Sequence, residues 1–344
     1  MNPIMLSIIL SSLALGTVIT LSSFHWLLAW IGLELNTLAI IPIIAESHHP
    51  RATEATTKYF LTQAAAAAMV LFASTTNAWY TGNWDITQLT NPYACTMLTM
   101  ALSMKLGLAP MHFWLPEVLQ GTPLKTALII ATWQKLAPLS LMYLISPSLN
   151  PAVLMTMGLL STLTGGWGGL NQTQTRKIMA FSSIAHLGWM VTVLALAPNI
   201  MLLSLLLYIF LTIAVFLPLI ALSSKTIQDL ATTWTASPTM MTMMLLLLMS
   251  LGGLPPMTGF MPKWLILQEL VYYNLSTTAT LMALSALLSL FFYLRLAYFT
   301  ALTMFPSHTK NTHKWRFQHK PNMILATMFS LSTLLLPMTP MLIN

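Results

Sequence analysis

The chain has 344 residues, of which 56% are hydrophobic and only 6% charged, and it carries a net charge of +7. A soluble protein of this length needs far more polar surface, so the composition predicts a protein that crosses a membrane several times. The single cysteine, Cys95, excludes a disulfide framework and a multi-cysteine iron–sulfur or zinc site built by this chain alone. The basic residues are scattered over short loops without forming a patch, which argues against binding to nucleic acid.

Apolar runs of membrane-spanning length follow one another along the whole sequence. A transmembrane helix needs about 20 such residues, and on that measure we expect about eleven crossings in an all-α fold. They cover approximately residues 3–22, 25–45, 59–79, 95–116, 124–146, 150–170, 178–197, 199–222, 239–273, 277–303 and 322–342. The first run has no positively charged residues ahead of it, so we interpret it as a retained helix rather than a cleaved signal or transit peptide.

The fourth and the ninth predicted helices are interrupted. The fourth contains ALSMKLGLAPMHFWLPEVLQ, residues 101–120, in which Gly107, Pro110 and Pro116 break the helical pattern. The ninth contains LGGLPPMTGFMPKW, residues 251–264, and it is too long for one straight helix but too short for two crossings. Backbone groups released by a break inside lipid must be satisfied by protein or water, so both stretches are predicted to line an ion path.

The positions of the two breaks indicate an internal repeat. Helices 1–5 and 6–10 become equivalent, over about residues 1–148 and 149–304, and the helix at 322–342 is appended to them. Because the offset of five is odd, the two halves have opposite orientations, which is the inverted repeat of many secondary transporters. We therefore expect one membrane domain that covers residues 1–344.

The basic residues of the loops predict the orientation of the chain. Lysine and arginine occur in loops after even-numbered helices, and none occurs in a loop after an odd-numbered helix. These residues are Arg51, Lys58, Lys125, Arg176, Lys177, Lys225, Lys310, Lys314, Arg316 and Lys320. By the positive-inside rule, the N-terminus lies on the side of the cytoplasm or the matrix, and the C-terminus lies on the opposite side.

Glu34, Lys105 and Lys135 are informative because each lies near the middle of a predicted crossing. Such a position is roughly 15 Å from water at a rise of ~1.5 Å per residue, so a charge there needs a partner or hydration. We interpret Glu34 as a functional carboxylate and the two lysines as groups that take up and release protons. The alternatives are a protonated Glu34 bonded to a neighbouring helix, and lysines whose ammonium groups reach the interface.

Lys263, His186 and His112 complete the set of candidates. Lys263 follows Pro262 at the start of the helix beyond the second break, where it is either a proton carrier or a capping charge at the interface. His186, in FSSIAHLGWM, and His112, beside the first break, titrate near neutral pH and could relay protons between the lysines. For each histidine the alternative is ordinary hydrogen-bonded packing within a helix bundle.

Several long motifs resemble those of a known family. The stretch MKLGLAPMHFWLPEVLQGTPLKTA resembles the signature of the antiporter-like membrane subunits of respiratory complex I, which are related to multi-subunit cation/proton antiporters. The match continues, in the same order, through IGLELNTLAIIPIIAESHHPRATEATTKYFLTQAAAAA, RKIMAFSSIAHLGWM and GGLPPMTGFMPKW. Compared with the fuller members of the family, the sequence has fewer N-terminal helices and no long lateral helix at its C-terminus.

The resemblance implies site residues. It implies a charge pair between Glu34 and Lys105, with Lys135 as the central lysine. It also implies that Lys263 is the lysine of the second broken helix and that His186 falls on a histidine position of the family.

The resemblance also implies a function and a location. It implies proton translocation by a subunit of the H+-translocating NADH:ubiquinone reductase in the mitochondrial inner membrane. The N-terminus would then lie on the matrix side and the C-terminus on the intermembrane side. FMN, the iron–sulfur clusters and ubiquinone would act in other subunits. The partners implied are those membrane-arm subunits, including neighbouring antiporter-like subunits, together with phospholipids.

Two other functions fit the same residues. One is a free-standing cation/proton antiporter, which would exchange ions as an isolated chain. The other is a structural scaffold between pumping modules, in which the lysines are vestigial. A quinone-reducing enzyme fits least, because the sequence has no redox cofactor motif.

Overall fold

The structure, a computed structural model, describes residues 2–233, 237–301 and 323–343. Within these ranges the chain forms helices, and β-structure is limited to two isolated bridges. The basic residues predicted for the last loop, at positions 310–320, lie outside the described residues. The helices are α1 (Pro3–Ser22), α2 (Trp26–Ala45), α3 (Pro50–Thr81), α4 (Pro92–Leu106), α5 (Trp114–Gly121), α6 (Leu124–Thr132), α7 (Leu136–Leu144), α8 (Pro151–Gly169), α9 (Thr175–Leu194), α10 (Pro198–Ala221), α11 (Ile227–Thr233), α12 (Pro238–Gly252), α13 (Phe260–Tyr272), α14 (Ser276–Ala301), α15 (Met323–Leu334) and α16 (Thr339–Ile343).

Seven of the described helical segments are long and apolar enough to cross a membrane, which confirms the predicted all-α, multi-span class. These segments are α1, α2, α3, the α6–α7 segment Leu124–Leu144, α9, α10 and α14. The predicted fourth crossing is divided between α4, with 15 residues, and α5, with 8. The division of the chain into eleven crossings stays a prediction.

The chain leaves helical geometry at both predicted interruptions. α4 ends at Leu106, and the next residue, Gly107, has a left-handed backbone with φ of 78°. α12 ends at Gly252, and Gly253 follows it with φ of 76°. Glycine adopts this conformation without the steric strain that a side chain brings. Each break therefore places the C-terminus of a helix inside the bundle, where its last carbonyl groups need donors other than those of a continuing helix.

Side chains from the second half-helices bond to the carbonyl groups at these ends. The Trp114 indole N–H donates to the Met104 carbonyl at 3.0 Å, and the Lys263 ammonium donates to the Gly252 carbonyl at 2.7 Å. Carbonyl groups freed within a membrane protein need such partners, because lipid offers none. Each break is therefore stabilised by a polar contact from its own second half-helix.

A third irregularity, which the sequence analysis missed, lies at Lys135. A 3-10 turn, Trp133–Lys135, separates α6 from α7. Pro138 explains the turn, because its ring has no N–H to donate to the Gln134 carbonyl and collides with that carbonyl in a regular helix. All three predicted lysines thus lie at discontinuities of helices.

Glycines allow α1 to cross α2, and α8 to cross α9, at short distance. A side-chain carbon added at Gly16 would lie 3.0 Å from the Gly32 carbonyl oxygen, and one added at Gly188 would lie 2.7 Å from that of Gly158. Small residues permit this close approach of two backbones in membrane helices. Both helix pairs therefore pack closely through glycines where they cross.

Candidate functional site

Lys105 lies in the last turn of α4 and is only 5% exposed. Its ammonium group has no hydrogen-bond partner among the described residues. It borders a small cavity, here named the first cavity. The centre of a water-sized sphere can occupy about 10 Å³ of it, which is enough for roughly one water molecule. The polar residues around this cavity are Asn36, Thr37, Tyr59, Gln63, Lys105 and Gln134. The carbonyl end of α4 favours a positive charge at this position.

Asn36 is the second polar side chain of the first cavity with unmet hydrogen bonds. It is 2% exposed, and neither its amide nitrogen nor its amide oxygen has a partner in the described part of the chain. Its backbone carbonyl accepts a bond from the Gln134 amide at 3.4 Å, which links α2 to the turn that carries Lys135. Buried polar groups of this kind are usually satisfied by ordered water. Lys105 and Asn36 thus both border a cavity with room for about one water molecule.

Glu34 is half-buried on α2, and its carboxylate accepts a hydrogen bond from the Thr37 hydroxyl at 2.8 Å. Thr37 in turn lines the first cavity. The implied contact with Lys105 is not formed in this structure, since that ammonium has no bonded partner within the described residues. The two charges are nevertheless close enough to interact. Glu34 and Lys105 are thus neighbouring charges rather than a closed ion pair.

A charged groove lies at the surface next to the first cavity. In it, the Lys58 ammonium is 2.5 Å from a carboxylate oxygen of Glu54 and 2.7 Å from one of Glu117. The groove has a volume of about 320 Å³ and is lined by Arg51, Glu54, Lys58, Glu117, Gln120 and Lys177. Tyr59 and Trp114, whose rings meet edge to face at 5.8 Å, line the first cavity beside it. Tyr59 directly follows the groove residue Lys58 on α3, so this helix contributes to both the charged groove and the first cavity.

Lys135 is 4% exposed and bonds to a residue of a distant helix. Its ammonium donates to the Tyr208 hydroxyl at 2.9 Å, and that hydroxyl donates to the Ala131 carbonyl, also at 2.9 Å. The ammonium also lies 4.8 Å from the centre of the Tyr208 ring, within range of a cation–π interaction. Tyr208 belongs to α10, so this contact joins the first predicted half of the chain to the second.

Lys263 borders another small cavity, here named the second cavity, in which the centre of a water-sized sphere can occupy about 20 Å³. The polar residues around it are His186, Ser204, Tyr208 and Lys263. The rings of His186 and Tyr208 are 5.6 Å apart between centres. His186 is close enough to interact with the charges of both Lys263 and Lys135. The structure therefore brings His186 together with two of the predicted lysines.

His112 occupies a different place from the one expected of a relay between lysines. It is 8% exposed, and its ring lies 4.3 Å from that of Phe113. It lines neither of the two lysine cavities but borders an open groove that also contains Glu117 and Lys177. His112 thus lies outside both lysine cavities, and its role as a relay stays a prediction.

The sequence analysis missed the neutral polar residues of the site, which are Asn36, Thr37, Tyr59, Gln63, Gln134, Ser204 and Tyr208. Hydroxyl and amide groups are common in membrane helices, and only their spatial neighbours mark these as part of the site. One signal was available for Asn36 and Thr37, because both follow Glu34 within one helical turn.

The chain has several helices of membrane-spanning length, two broken helices and lysines held at helix ends. This is the architecture of an antiporter-like ion-translocating membrane protein. A profile of the family described as NADH:quinone oxidoreductase/Mrp antiporter, transmembrane region, matches residues 23–289. A second profile, described as NADH dehydrogenase subunit 2 C-terminus, matches residues 290–343. The chain belongs to the NADH:quinone oxidoreductase/Mrp antiporter family, which confirms the resemblance drawn from its motifs.

Individual relatives agree with the family match. The chain is 61% identical to NADH-ubiquinone oxidoreductase chain 2 of Salmo salar over 345 residues, which cover 99% of this chain and 98% of the relative. It is 56% identical to the protein of the same name from Xenopus laevis over 342 residues, which cover 99% of each chain.

Solved structures agree as well. A chain of respiratory complex I from Thermus thermophilus with bound aureothin is similar with a TM-score of 0.82 and 27% identity, covering 96% of this chain and 78% of that one. A chain of the Mrp complex from Dietzia shares the fold alone, with a TM-score of 0.84 and 17% identity, over 96% of this chain and 74% of that one.

Proposed function

We propose that this chain is a proton-translocating subunit of the membrane arm of respiratory complex I, the NADH:ubiquinone oxidoreductase. The family, the relatives named NADH-ubiquinone oxidoreductase chain 2 and the likeness to complex I of Thermus thermophilus support this function. The chain then acts within the H+-translocating enzyme of the mitochondrial inner membrane, with other complex I subunits as its partners. NADH oxidation and ubiquinone reduction take place in those subunits, which hold the FMN and the iron–sulfur clusters.

The observation that carries the proposal is the position of three lysines beside helix ends inside the protein. Carbonyl groups at a helix C-terminus carry partial negative charge. Lys105 lies in the last turn of α4, and Lys263 bonds to the Gly252 carbonyl at the end of α12. Lys135 is connected through Tyr208 to the last turn of α6. None of the three ammonium groups is bonded to a carboxylate among the described residues, so each releases a proton without breaking a salt bridge.

The route that fits these positions has three stages. Protons enter at the charged groove and pass the Tyr59–Trp114 rings to reach Lys105 at the first cavity. They move to Lys135 through water that the amides of Asn36 and Gln134 hold in place. They then pass to the second cavity, where His186 and Lys263 receive them and from which they leave.

Glu34 controls the first stage through its distance from Lys105. Two opposite charges about 4 Å apart interact by roughly 4 kcal/mol at an effective dielectric constant of about 20. Glu34 is bonded to Thr37 in this structure, and rotation of its side chain towards the first cavity adds this attraction and favours the protonated form of Lys105. Movement away from Lys105 releases the proton towards Lys135.

We also propose the repeat and the orientation. Two inverted repeats, at about residues 1–148 and 149–304, are followed by a C-terminal helix at 322–342, and together they form one antiporter-like domain. Three similarities support the repeat: α4 and α12 each have 15 residues, each ends before a left-handed glycine, and α1–α2 and α8–α9 each cross on glycines. The N-terminus lies on the matrix side, the C-terminus lies on the intermembrane side, and phospholipids cover the exposed apolar side chains.

Replacement Glu34→Gln is expected to reduce NADH-driven proton translocation by about tenfold. The amide has nearly the same shape as the carboxylate but loses the attraction to Lys105, which is the larger part of the coupling in this scheme. The measurement is the rate of proton uptake by proteoliposomes that contain the assembled complex, after addition of NADH and a soluble quinone.

Asp85→Asn is the matched control, because Asp85 is an exposed carboxylate outside the two cavities. It is expected to leave the rate unchanged. If Glu34→Gln translocates protons like the unmodified complex, the scaffold function is favoured and the proposal is wrong. Cation/proton exchange by the purified chain alone would favour the free-standing antiporter.

A further inference from the structure

We propose that the Tyr208 hydroxyl is the group that passes protons from Lys135 to the second cavity. This inference rests on the proposed function and adds a positioning and relay residue that carries no charge of its own. Tyr208 is 2% exposed, bonds directly to Lys135 and also lines the cavity that contains Lys263. One side chain therefore touches both stages of the route.

The hydrogen bonds around Tyr208 have a direction. Lys135 donates to the hydroxyl oxygen at 2.9 Å, and the hydroxyl donates its own hydrogen to the Ala131 carbonyl at 2.9 Å. Ala131 lies in the last turn of α6, where carbonyl groups lack ordinary helical partners. In this arrangement the hydroxyl hydrogen is bonded to the backbone carbonyl of Ala131 and cannot pass to the second cavity. We call this the closed position of the relay.

Rotation of one bond opens the relay. A hydroxyl hydrogen turns about the C–O bond to suit its neighbours, and the second cavity, which Tyr208 also lines, has the volume for a water molecule. With the hydrogen turned towards that water, the hydroxyl oxygen still accepts from Lys135. The oxygen is then bonded to a donor on one side and an acceptor on the other.

The transfer balances in protons. The N–H bond of the Lys135 ammonium breaks as a new O–H bond forms on Tyr208, and the original O–H bond breaks as its proton joins the water. Lys135 ends as a neutral amine, Tyr208 is again a neutral phenol, and the extra proton is on water beside His186 and Lys263. Neutral His186 then binds it through the free electron pair of a ring nitrogen, and Lys263 binds it only after it has itself released a proton and become a neutral amine.

Tyr208→Phe tests the relay in the assembled complex reconstituted into proteoliposomes. The phenyl ring keeps the packing against His186 and the cation–π contact with Lys135, and only the hydroxyl is lost. We expect NADH-driven proton translocation per assembled complex to fall by about tenfold or more, as for loss of a proton-transfer group. Rates equal to those of the unmodified complex would overturn the inference.

The matched control is Tyr143→Phe. Tyr143 also bridges the two segments concerned, because its hydroxyl on α7 donates to Asn199 on α10 at 3.4 Å, but it lines neither lysine cavity. It is expected to translocate protons normally. A loss in Tyr143→Phe equal to that in Tyr208→Phe would mean that the bridge holds the helices together, and would overturn the relay.

Two further replacements separate a relay from a group that only holds Lys135 in place. Histidine accepts from Lys135 and passes a proton between its two nitrogens, whereas glutamine accepts from Lys135 but is a poor proton carrier. The relay predicts that Tyr208→His keeps at least severalfold more translocation than Tyr208→Gln. Equal, near-normal rates in both variants would assign Tyr208 a holding role only.

The failure of this inference is distinguishable from failure of the proposed function. If Lys135→Met stops translocation while Tyr208→Phe does not, the lysine route remains and the relay is wrong. If neither replacement has an effect, the lysine route itself is wrong.

Discussion

Replacement Lys135→Met is expected to stop proton translocation through this subunit. Methionine has a similar length and fills the same buried space, so the packing around the 3-10 turn is kept while the proton-binding nitrogen is lost. Among the described residues, Lys135 is the only one of the three lysines that bonds from the first predicted half of the chain to the second. Its loss therefore interrupts the proposed proton route between the two cavities. We expect translocation to fall by about 100-fold, in the range of lost acid–base groups.

The measurement for Lys135→Met is proton uptake by proteoliposomes, with the rate of NADH oxidation recorded in parallel. Lys125→Met is the control, because Lys125 lies on the same segment, at the start of α6, with an exposed side chain. That control is expected to behave like the unmodified complex. Undiminished proton uptake in Lys135→Met, at normal assembly, would remove the central step of the route.

Replacement Gly259→Ala is expected to prevent stable assembly of the subunit. Gly259 lies immediately before α13, and a side-chain carbon there would overlap the backbone carbonyl of Ser250 on α12. Because both atoms belong to the backbone, a side-chain rotation cannot relieve the overlap, and the second break has to open. Overpacking of this kind destabilises a folded protein by about 3 kcal/mol, a large fraction of its total stability.

The measurement for Gly259→Ala is the amount of assembled complex and its temperature of thermal unfolding. Gly252→Ala is the control within the same break, since an added carbon there would have its nearest contact at 3.8 Å, with the Tyr293 ring. Because Gly252 is the last residue of α12, alanine is expected to be tolerated or slightly stabilising there. Normal assembly of Gly259→Ala would show that the break has a different geometry from the one described.

The sequence predicted those parts of the fold and the site that stand out against an apolar background. A charge inside an apolar run is rare, so Lys105 and Lys135 could be found by position alone. The glycines and prolines of the two breaks are equally conspicuous, because they are the residues that end helices. The turn at Lys135 has such a signal in Pro138, but one proline in a long apolar run predicts no particular geometry.

The partners of the charged residues could not be predicted in the same way. Lys135 bonds to Tyr208, which is 73 residues away along the chain. Only packing of α10 against the α6–α7 segment brings them together. Glu34 bonds to Thr37 within its own helix instead of reaching Lys105, because a hydroxyl one turn away is always within reach. His112 is close to the first break in the sequence, but this closeness did not predict that its ring borders the groove with Glu117 and Lys177 instead of a lysine cavity.

The bond between Lys263 and the Gly252 carbonyl has one more consequence. A carboxylate partner would attract the ammonium form strongly, and this electrostatic attraction would be lost once the nitrogen is neutral. A backbone carbonyl, by contrast, accepts a hydrogen bond from either an ammonium or an amine, so occupied and vacant forms of the carrier keep the same geometry. The carrier is thereby reset without a rearrangement of the chain, and no single side-chain replacement can remove its acceptor.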